Sequence, residues 1–178
     1  MVYDRLSSGG PNGLRHVQRE RLATDKQRAL EILALAERTE ADPERLADVA
    51  REIPMALAVL INEDRSAALR MAGLLATFWE DTGRVEMGRK LTDQALEGQH
   101  RAATLDRDVS AAMPRALLAA AELAFRDGDK EEALKQAHAT VRAAVLIEDY
   151  DTAARAKVML SRSALREQAD QRQTQAGR

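Results

Sequence analysis

The sequence contains no cysteine and few aromatic residues. The absence of cysteine excludes disulfide bonds, thiolate zinc sites and thiol chemistry, and it is compatible with a reducing cytoplasm. Aromatic residues make up only 3% of the 178 residues, although 45% of the chain is hydrophobic. The core must therefore be built from alanine, leucine, valine and methionine, whose small or unbranched side chains allow helices to approach one another closely.

Long apolar runs and concentrations of basic charge are also missing. No stretch approaches the ~18 consecutive apolar residues of a transmembrane helix, and the first residues carry no hydrophobic region typical of a signal peptide. The 29 acidic side chains slightly outnumber the 27 lysines and arginines, and neither half of the chain is basic. Nucleic-acid binding normally requires a basic surface. We therefore expect a cytoplasmic protein that binds neither membranes nor nucleic acid directly.

Motifs for catalysis or metal binding are absent from the sequence. It has no GxxxxGK[ST] phosphate loop, no HExxH zinc motif and no GxSxG nucleophile elbow. The three histidines, His16, His100 and His138, are scattered, and none is paired with another ligand at the spacing that a metal site needs. We predict no catalytic residue, no metal site and no cofactor, and hence a protein that is not an enzyme.

Alanine is the residue that the sequence has in abundance, with 34 copies. It is the strongest helix former, and the clusters of valine, isoleucine, threonine and tyrosine that would indicate strands do not occur. The composition therefore predicts an all-α fold.

A helix-turn-helix phrase occurs twice, as AALRMAGLLATFWEDTGRVEMGRKLTDQAL and as PRALLAAAELAFRDGDKEEALKQAHATV. In each copy an apolar helix ends at a glycine, Gly83 or Gly128, and an amphipathic helix follows with a small residue, Gly88 or Ala133, five positions later. The two turn glycines are 45 residues apart. Helical hairpins that recur every ~34 to 47 residues stack into solenoids. We predict an α-solenoid of such hairpins with about seven helices.

Helix-breaking residues divide the chain into four parts. Residues 1–16 are predicted to be a flexible lead-in, 17–63 an introductory helical section, 64–168 the repeat array and 169–178 a disordered tail. Within the two helical parts, proline, glycine and aspartate predict the helix boundaries. The predicted helices span 17–38, 43–52, 54–61, 64–82, 85–100, 114–126, 130–147 and 152–168. A polar connection is expected over 99–112, and the last helix, which has no return partner, is expected to cap the stack.

Two segments resemble a known family. The run AGLLATFWEDTG at 72–83 and the run MGRKLTDQAL at 87–96 are similar to the tetratricopeptide-like arm of bacterial STAND-class transcriptional regulators of the LuxR and AfsR type. The segment 116–137 resembles the second repeat of that arm. The ATPase and DNA-binding modules of those regulators have no counterpart in this sequence. The resemblance thus implies a tetratricopeptide-like partner-binding arm, acting alone or belonging to a longer protein.

In stacked hairpins the first helix of each pair lines an inner groove, so its non-core face supplies the candidate partner-binding residues. The nine candidates are Arg70, Thr77, Glu80, Arg115, Leu118, Glu122, Phe125, Arg155 and Arg162. Gly73, Arg126, Met159 and Arg166 are expected on the same helix faces. The arginines predict a mildly cationic groove that suits an acidic peptide or a carboxylate, while Leu118 and Phe125 favour an amphipathic or apolar peptide. The alternative is a solvated helix face whose charges form ion pairs with one another.

Phe78 and Trp79 form the only adjacent pair of aromatic residues. We predict that Trp79 packs against the neighbouring helix, with a role as an interface anchor as the alternative. The position of Phe78 stays open.

The sequence favours a noncatalytic protein-binding or peptide-binding module, an adaptor or a regulatory arm in transcriptional or signalling control. Two alternatives remain. In the first, the chain is a self-associating structural module that forms a homodimer through its terminal helices. In the second, it is a small-ligand sensor with a pocket near Trp79 and Phe125.

Overall fold

The computed structural model describes the backbone of residues 11–97 and 106–176, and the side chains of residues 18–97 and 106–164. Within these ranges the chain forms eight α-helices, one 3-10 turn at Ala47–Val49 and no strand, which confirms the predicted all-α fold. The helices are α1 (Pro11–Thr39), α2 (Ile53–Glu63), α3 (Arg65–Leu74), α4 (Ala76–Asp81), α5 (Val85–Leu96), α6 (Arg107–Arg126), α7 (Lys130–Leu146) and α8 (Tyr150–Ala176).

Both ends of the described chain are more helical than the sequence predicts. Helix α1 begins at Pro11, within the predicted lead-in, and proline is well suited to a first helical turn because it needs no amide partner there. Residues 1–10 lie outside the described part. Helix α8 continues to Ala176, through most of the predicted disordered tail.

The predicted helix at 43–52 is instead a turn that contains the single 3-10 segment. Two successive residues, Glu40 and Ala41, have positive φ angles of 52° and 55° and redirect the chain after α1. The carboxylate of Asp42 then accepts hydrogen bonds from the backbone amides of Glu44 and Arg45, at 2.9 and 3.4 Å. This local turn competes with helix formation in the same segment.

The predicted helix at 64–82 is divided at Leu75, which has φ −87° and ψ 2° and separates α3 from α4. Two positions earlier stands Gly73, a residue that weakens a helix interior. The division adds one helix and the turn at 43–52 removes one, so the described ranges contain eight α-helices, against about seven predicted for the solenoid.

Helix α6 begins at Arg107, seven residues before the predicted start at Pro114. The side chain of Asp106 caps this earlier start by accepting hydrogen bonds from the amides of Asp108 and Val109, at 2.9 and 3.2 Å. Pro114 therefore lies inside the helix. The first part of the predicted 99–112 connection, residues 99–105, lies outside the described residues.

Helices α3–α4 and α6 lie side by side and run parallel. A Cβ atom built on Gly73 of α3 would lie 2.9 Å from the Cβ of Arg115 of α6. Further along both helices, Glu80 of α4 forms a 2.7 Å ion pair with Arg126 of α6. Because the contact positions advance together in the two helices, their directions are the same.

The contact positions also advance together in the two other pairs of neighbouring helices. Between α6 and α8, Arg115 pairs with Asp149 at 3.9 Å and Glu122 pairs with Arg155 at 3.0 Å. Between α1 and α3, Lys26 contacts the capping Asp64 at 3.3 Å. Further along both helices, Glu37 of α1 contacts Arg70 of α3 at 3.3 Å. Helices α1, α3–α4, α6 and α8 are thus parallel, and α2, α5 and α7 each contact two of them.

The section predicted as an introduction therefore supplies the first of three consecutive helix pairs. Helix α2 contacts both α1 and α3, as α5 contacts α3 and α6 and as α7 contacts α6 and α8. The pairs are α1 with α2, α3–α4 with α5, and α6 with α7, followed by α8.

Trp79 and Phe78 are both fully buried, with 0% of their surface exposed. Their rings meet edge to face, with centroids 5.1 Å apart. Trp79 lies against Gly88 of α5, so closely that a Cβ on that glycine would lie only 2.7 Å from the Trp79 Cβ. The predicted packing of Trp79 against the neighbouring helix is confirmed, and the open position of Phe78 is settled as core.

Three turns between helices share one geometry. Gly83 and Gly128 have φ angles of 67° and 86°, and Glu148, at the equivalent position two residues after α7, has φ 62°. In each turn the next amide donates to a carbonyl five residues back, at 2.8 to 2.9 Å. This is the helix ending that favours glycine, because a left-handed residue with a Cβ is strained.

We expect Glu148→Gly to raise the free energy of unfolding by about 0.5 to 1 kcal/mol, because it relieves that strain. The matched change Gly128→Ala should lower it by about 1 kcal/mol, since a Cβ there meets no atom within 4 Å and only backbone strain is added. Urea denaturation followed by circular dichroism measures both. Equal losses for the two variants would contradict the conclusion that Glu148 is strained in a helix ending that favours glycine.

Candidate functional site

A groove of about 670 Å³ lies on the face formed by α4, α6 and α8. We call it the α6 groove, because α6 runs along its floor between the other two helices. Seven of the nine predicted partner-binding residues line it, namely Thr77, Glu80, Leu118, Glu122, Phe125, Arg155 and Arg162. The spacing of these residues on one face of each helix is the reason that sequence periodicity groups them.

The other two predicted residues, Arg70 and Arg115, lie on the same face but outside the α6 groove. They line a separate depression of about 590 Å³ nearer the beginnings of the helices. Each is already ion-paired, Arg70 with Glu37 at 3.3 Å and Arg115 with Asp149 at 3.9 Å. The structure therefore places them as links between neighbouring helices and does not bring them together with the other seven.

The floor of the α6 groove is apolar. Leu118 and Leu123 of α6 are buried, while Phe125 and Met159 are half-buried at its sides. On α8, Val158 is 50% exposed and so presents free apolar surface to the groove.

Four lining residues were neither among the nine candidates nor among the other residues expected on those helix faces. They are Ala76, Leu123, Ala154 and Val158. The last two stand four residues apart on α8, directly beside Arg155 and Met159. A wider helical stripe drawn through α8 would have included them.

Two ion pairs cross the groove face between helices. Glu80 contacts Arg126 at 2.7 Å, and Glu122 contacts Arg155 at 3.0 Å. The third arginine, Arg162, has no ion-pair partner among the residues whose side chains the structure describes. Among the described side chains that line the groove, three arginines against two glutamates leave one positive charge, located at Arg162.

Burial raises the pKa of Glu122 above its usual value, and the opposing attraction of Arg155 does not cancel this effect. The folded chain therefore binds a proton at Glu122 more readily than the unfolded chain does. With regard to this group alone, folding becomes less favourable as the pH rises above the ordinary carboxyl pKa, and it becomes more favourable as the pH falls.

We expect Glu122→Gln to raise the melting temperature at pH 7, because glutamine has no charge to desolvate. The gain should shrink as the pH is lowered toward the ordinary pKa of glutamate, where the wild-type side chain is protonated as well. Calorimetry at pH 7 and at a pH near the ordinary pKa of glutamate measures the change in melting temperature. The matched control is Glu80→Gln, which removes the other groove carboxylate. A lower melting temperature for Glu122→Gln at pH 7 would show that its pair with Arg155 outweighs the cost of burial.

A second charged cluster lies outside the α6 groove, between α5 and the turn after α6, and has a structural role. Arg89 of α5 contacts both Asp127 and Asp129 in the turn between α6 and α7, at 2.6 and 2.5 Å. The hydrogen bond from Arg89, together with the amide of Glu132, lowers the pKa of Asp129. Because Asp129 also caps α7, the cluster fixes α5 to the following turn.

The described part of the chain shows neither a metal-binding cluster nor a membrane-spanning helix. Among the described residues, no group of three histidine, aspartate or glutamate side chains is placed to hold a metal ion. His138 is exposed on α7, whereas the side chains of His16 and His100 lie outside the described part. In the described ranges, no helix combines the length and the apolar character needed to cross a membrane.

Comparisons with protein-family models, with curated proteins and with solved structures found no match for this chain.

Proposed function

We propose that the chain is a noncatalytic protein-binding or peptide-binding module, built as a short α-solenoid of tetratricopeptide-like hairpins. The parallel first helices support this architecture, as do the three turns of identical geometry after α4, α6 and α7. The ion pair between Glu122 and Arg155 joins residues 33 positions apart, close to the length of ~34 residues of one tetratricopeptide unit.

The observation that carries the function is the α6 groove itself. An apolar floor bordered by charged side chains is the arrangement with which helical repeats bind peptides. The resemblance of residues 72–83 and 87–96 to the arms of transcriptional regulators supports a place in transcriptional or signalling control.

The test is affinity capture from the native host lysate with three versions of the full chain. The groove variant carries Val158→Glu and Arg162→Glu, two exposed positions on α8. The control carries Val145→Glu and Arg142→Glu, the same residue types on the exposed part of α7 and away from the groove. We expect a partner that wild type and control retain and that the groove variant loses. Equal capture by all three would overturn the assignment of the groove as the binding site.

Self-association is a second candidate, favoured by an exposed apolar pair at the turn between α7 and α8. Leu146 is 84% exposed and Tyr150, four residues later, is 65% exposed, which are high values for large apolar side chains. Light scattering over a range of concentrations measures it. A monomeric mass throughout would remove this candidate, and a dimer that Leu146→Ser dissociates would establish it.

A further inference from the structure

We infer that the occupant of the α6 groove is an amphipathic α-helix of a partner protein, with an acidic side chain at one end of its apolar stripe. This inference rests on the proposed function, because it names the partner class of the same groove. It follows from the backbone, the length and the charge of the groove.

The backbone of the groove favours a helix over an extended peptide. Its walls and floor are the side-chain faces of α4, α6 and α8, whose amides and carbonyls are bonded within their own helices. An extended peptide on the apolar floor would find few backbone partners for its own amides and carbonyls, and burying these groups unpaired is costly. A helix satisfies them internally and presents only side chains.

The apolar part of the groove has the length of two helical turns. On α6 it extends from Leu118 to Phe125, and on α8 the apolar lining residues extend from Ala154 to Met159. Seven residues of α-helix measure about 10 Å. A bound helix would therefore place apolar residues at positions i, i+3 or i+4, and i+7 on this floor, the pattern of helix-in-groove recognition.

The charges of the groove predict that the bound helix carries an acidic residue, and they predict at which end of its apolar stripe that residue lies. The glutamates neutralise Arg126 and Arg155 from within the groove, whereas Arg162 has no such partner among the described side chains. Since Arg155 stands level with Glu122 and the two helices are parallel, Arg162 lies two turns further along α8, about one turn beyond the end of α6 at Arg126. A carboxylate beside the last apolar residue of the stripe would form a charge-assisted hydrogen bond there.

The experiment is selection from a random peptide library displayed on phage, using the full chain as bait. Enriched peptides are synthesised with a fluorescent label, and their affinities are measured by anisotropy for wild type, Arg162→Glu and the control Arg142→Glu. We expect enriched sequences with helical apolar spacing and an excess of acidic residues. Their affinity should fall about tenfold with Arg162→Glu, a typical value for one charge-assisted contact, and should be unchanged with Arg142→Glu.

Two changes in the peptide complete the test. A central proline should abolish binding if the peptide is helical. Replacing its contacting glutamate by lysine should restore binding to Arg162→Glu. The inference is overturned if no peptide is enriched, if enriched peptides are basic, if the proline is tolerated, or if Arg162→Glu binds as wild type does. Groove-dependent capture from the lysate combined with any of these results would leave the proposed function intact and remove only the helical, acidic partner.

Discussion

The Trp79→Ala variant is expected to lose about 3 to 5 kcal/mol of unfolding free energy, the range found when a large buried aromatic side chain is truncated. Trp79 has no exposed surface, and its ring contacts both Phe78 and the backbone of α5 at Gly88. Space that the surrounding helices do not fill adds the cost of a cavity to the lost burial of the indole. Because the variant lacks the only tryptophan, urea denaturation should be followed by far-ultraviolet circular dichroism rather than by fluorescence.

Two comparison variants distinguish the loss of stability due to the buried ring from the loss that follows truncation of any large side chain. Trp79→Phe keeps a ring in the same site and should lose clearly less than the alanine variant. Met55→Ala removes a side chain that is 70% exposed and should change stability by no more than about 0.5 kcal/mol. If Trp79→Ala cost no more than Met55→Ala, the contact between α4 and α5 would not be a core contact.

The hairpins of the repeat array were predictable from the sequence because local chemistry specifies them. Gly83 and Gly128 occupy left-handed positions that glycine adopts without strain. The turn after α7 was also predicted, from its aspartates, although Glu148 stands there in the conformation that favours glycine. The pairing of α1 with α2 was missed, since the chain leaves α1 through Glu40 and Ala41, two residues that rarely take positive φ.

Helical periodicity predicted which residues face the α6 groove, but it did not predict which charges are free there. Leu118, Glu122 and Phe125 share a face of α6 whatever their surroundings. Whether an arginine is neutralised depends on how neighbouring helices are aligned along their axes, and that alignment is a tertiary property. The sequence grouped Arg115 with Arg162, whereas the structure pairs Arg115 with Asp149 in another depression.

The Gly73→Ala variant is expected to lower the free energy of unfolding by about 1 to 3 kcal/mol, as overpacking of a closely packed site does. The added Cβ would lie 2.9 Å from the Cβ of Arg115 and 3.0 Å from the backbone nitrogen of Ala116, and backbone atoms of a long helix cannot move aside alone. The same change at an open helix position would raise stability by about 1 kcal/mol, because alanine has the higher helix propensity.

Whether Gly73→Ala lowers or raises the free energy of unfolding therefore shows whether the backbones of α3 and α6 are in contact. Denaturation of Gly73→Ala, Gly73→Val and Gly73→Leu should show losses that grow with side-chain size, since each larger group must push the two helices further apart. A gain for the alanine variant would mean that the helices are not in contact at this point. The position of α4, which follows α3 and forms one wall of the α6 groove, depends on that contact. The valine variant, if it remains folded, should consequently bind groove partners more weakly than wild type, even though Gly73 does not line the groove.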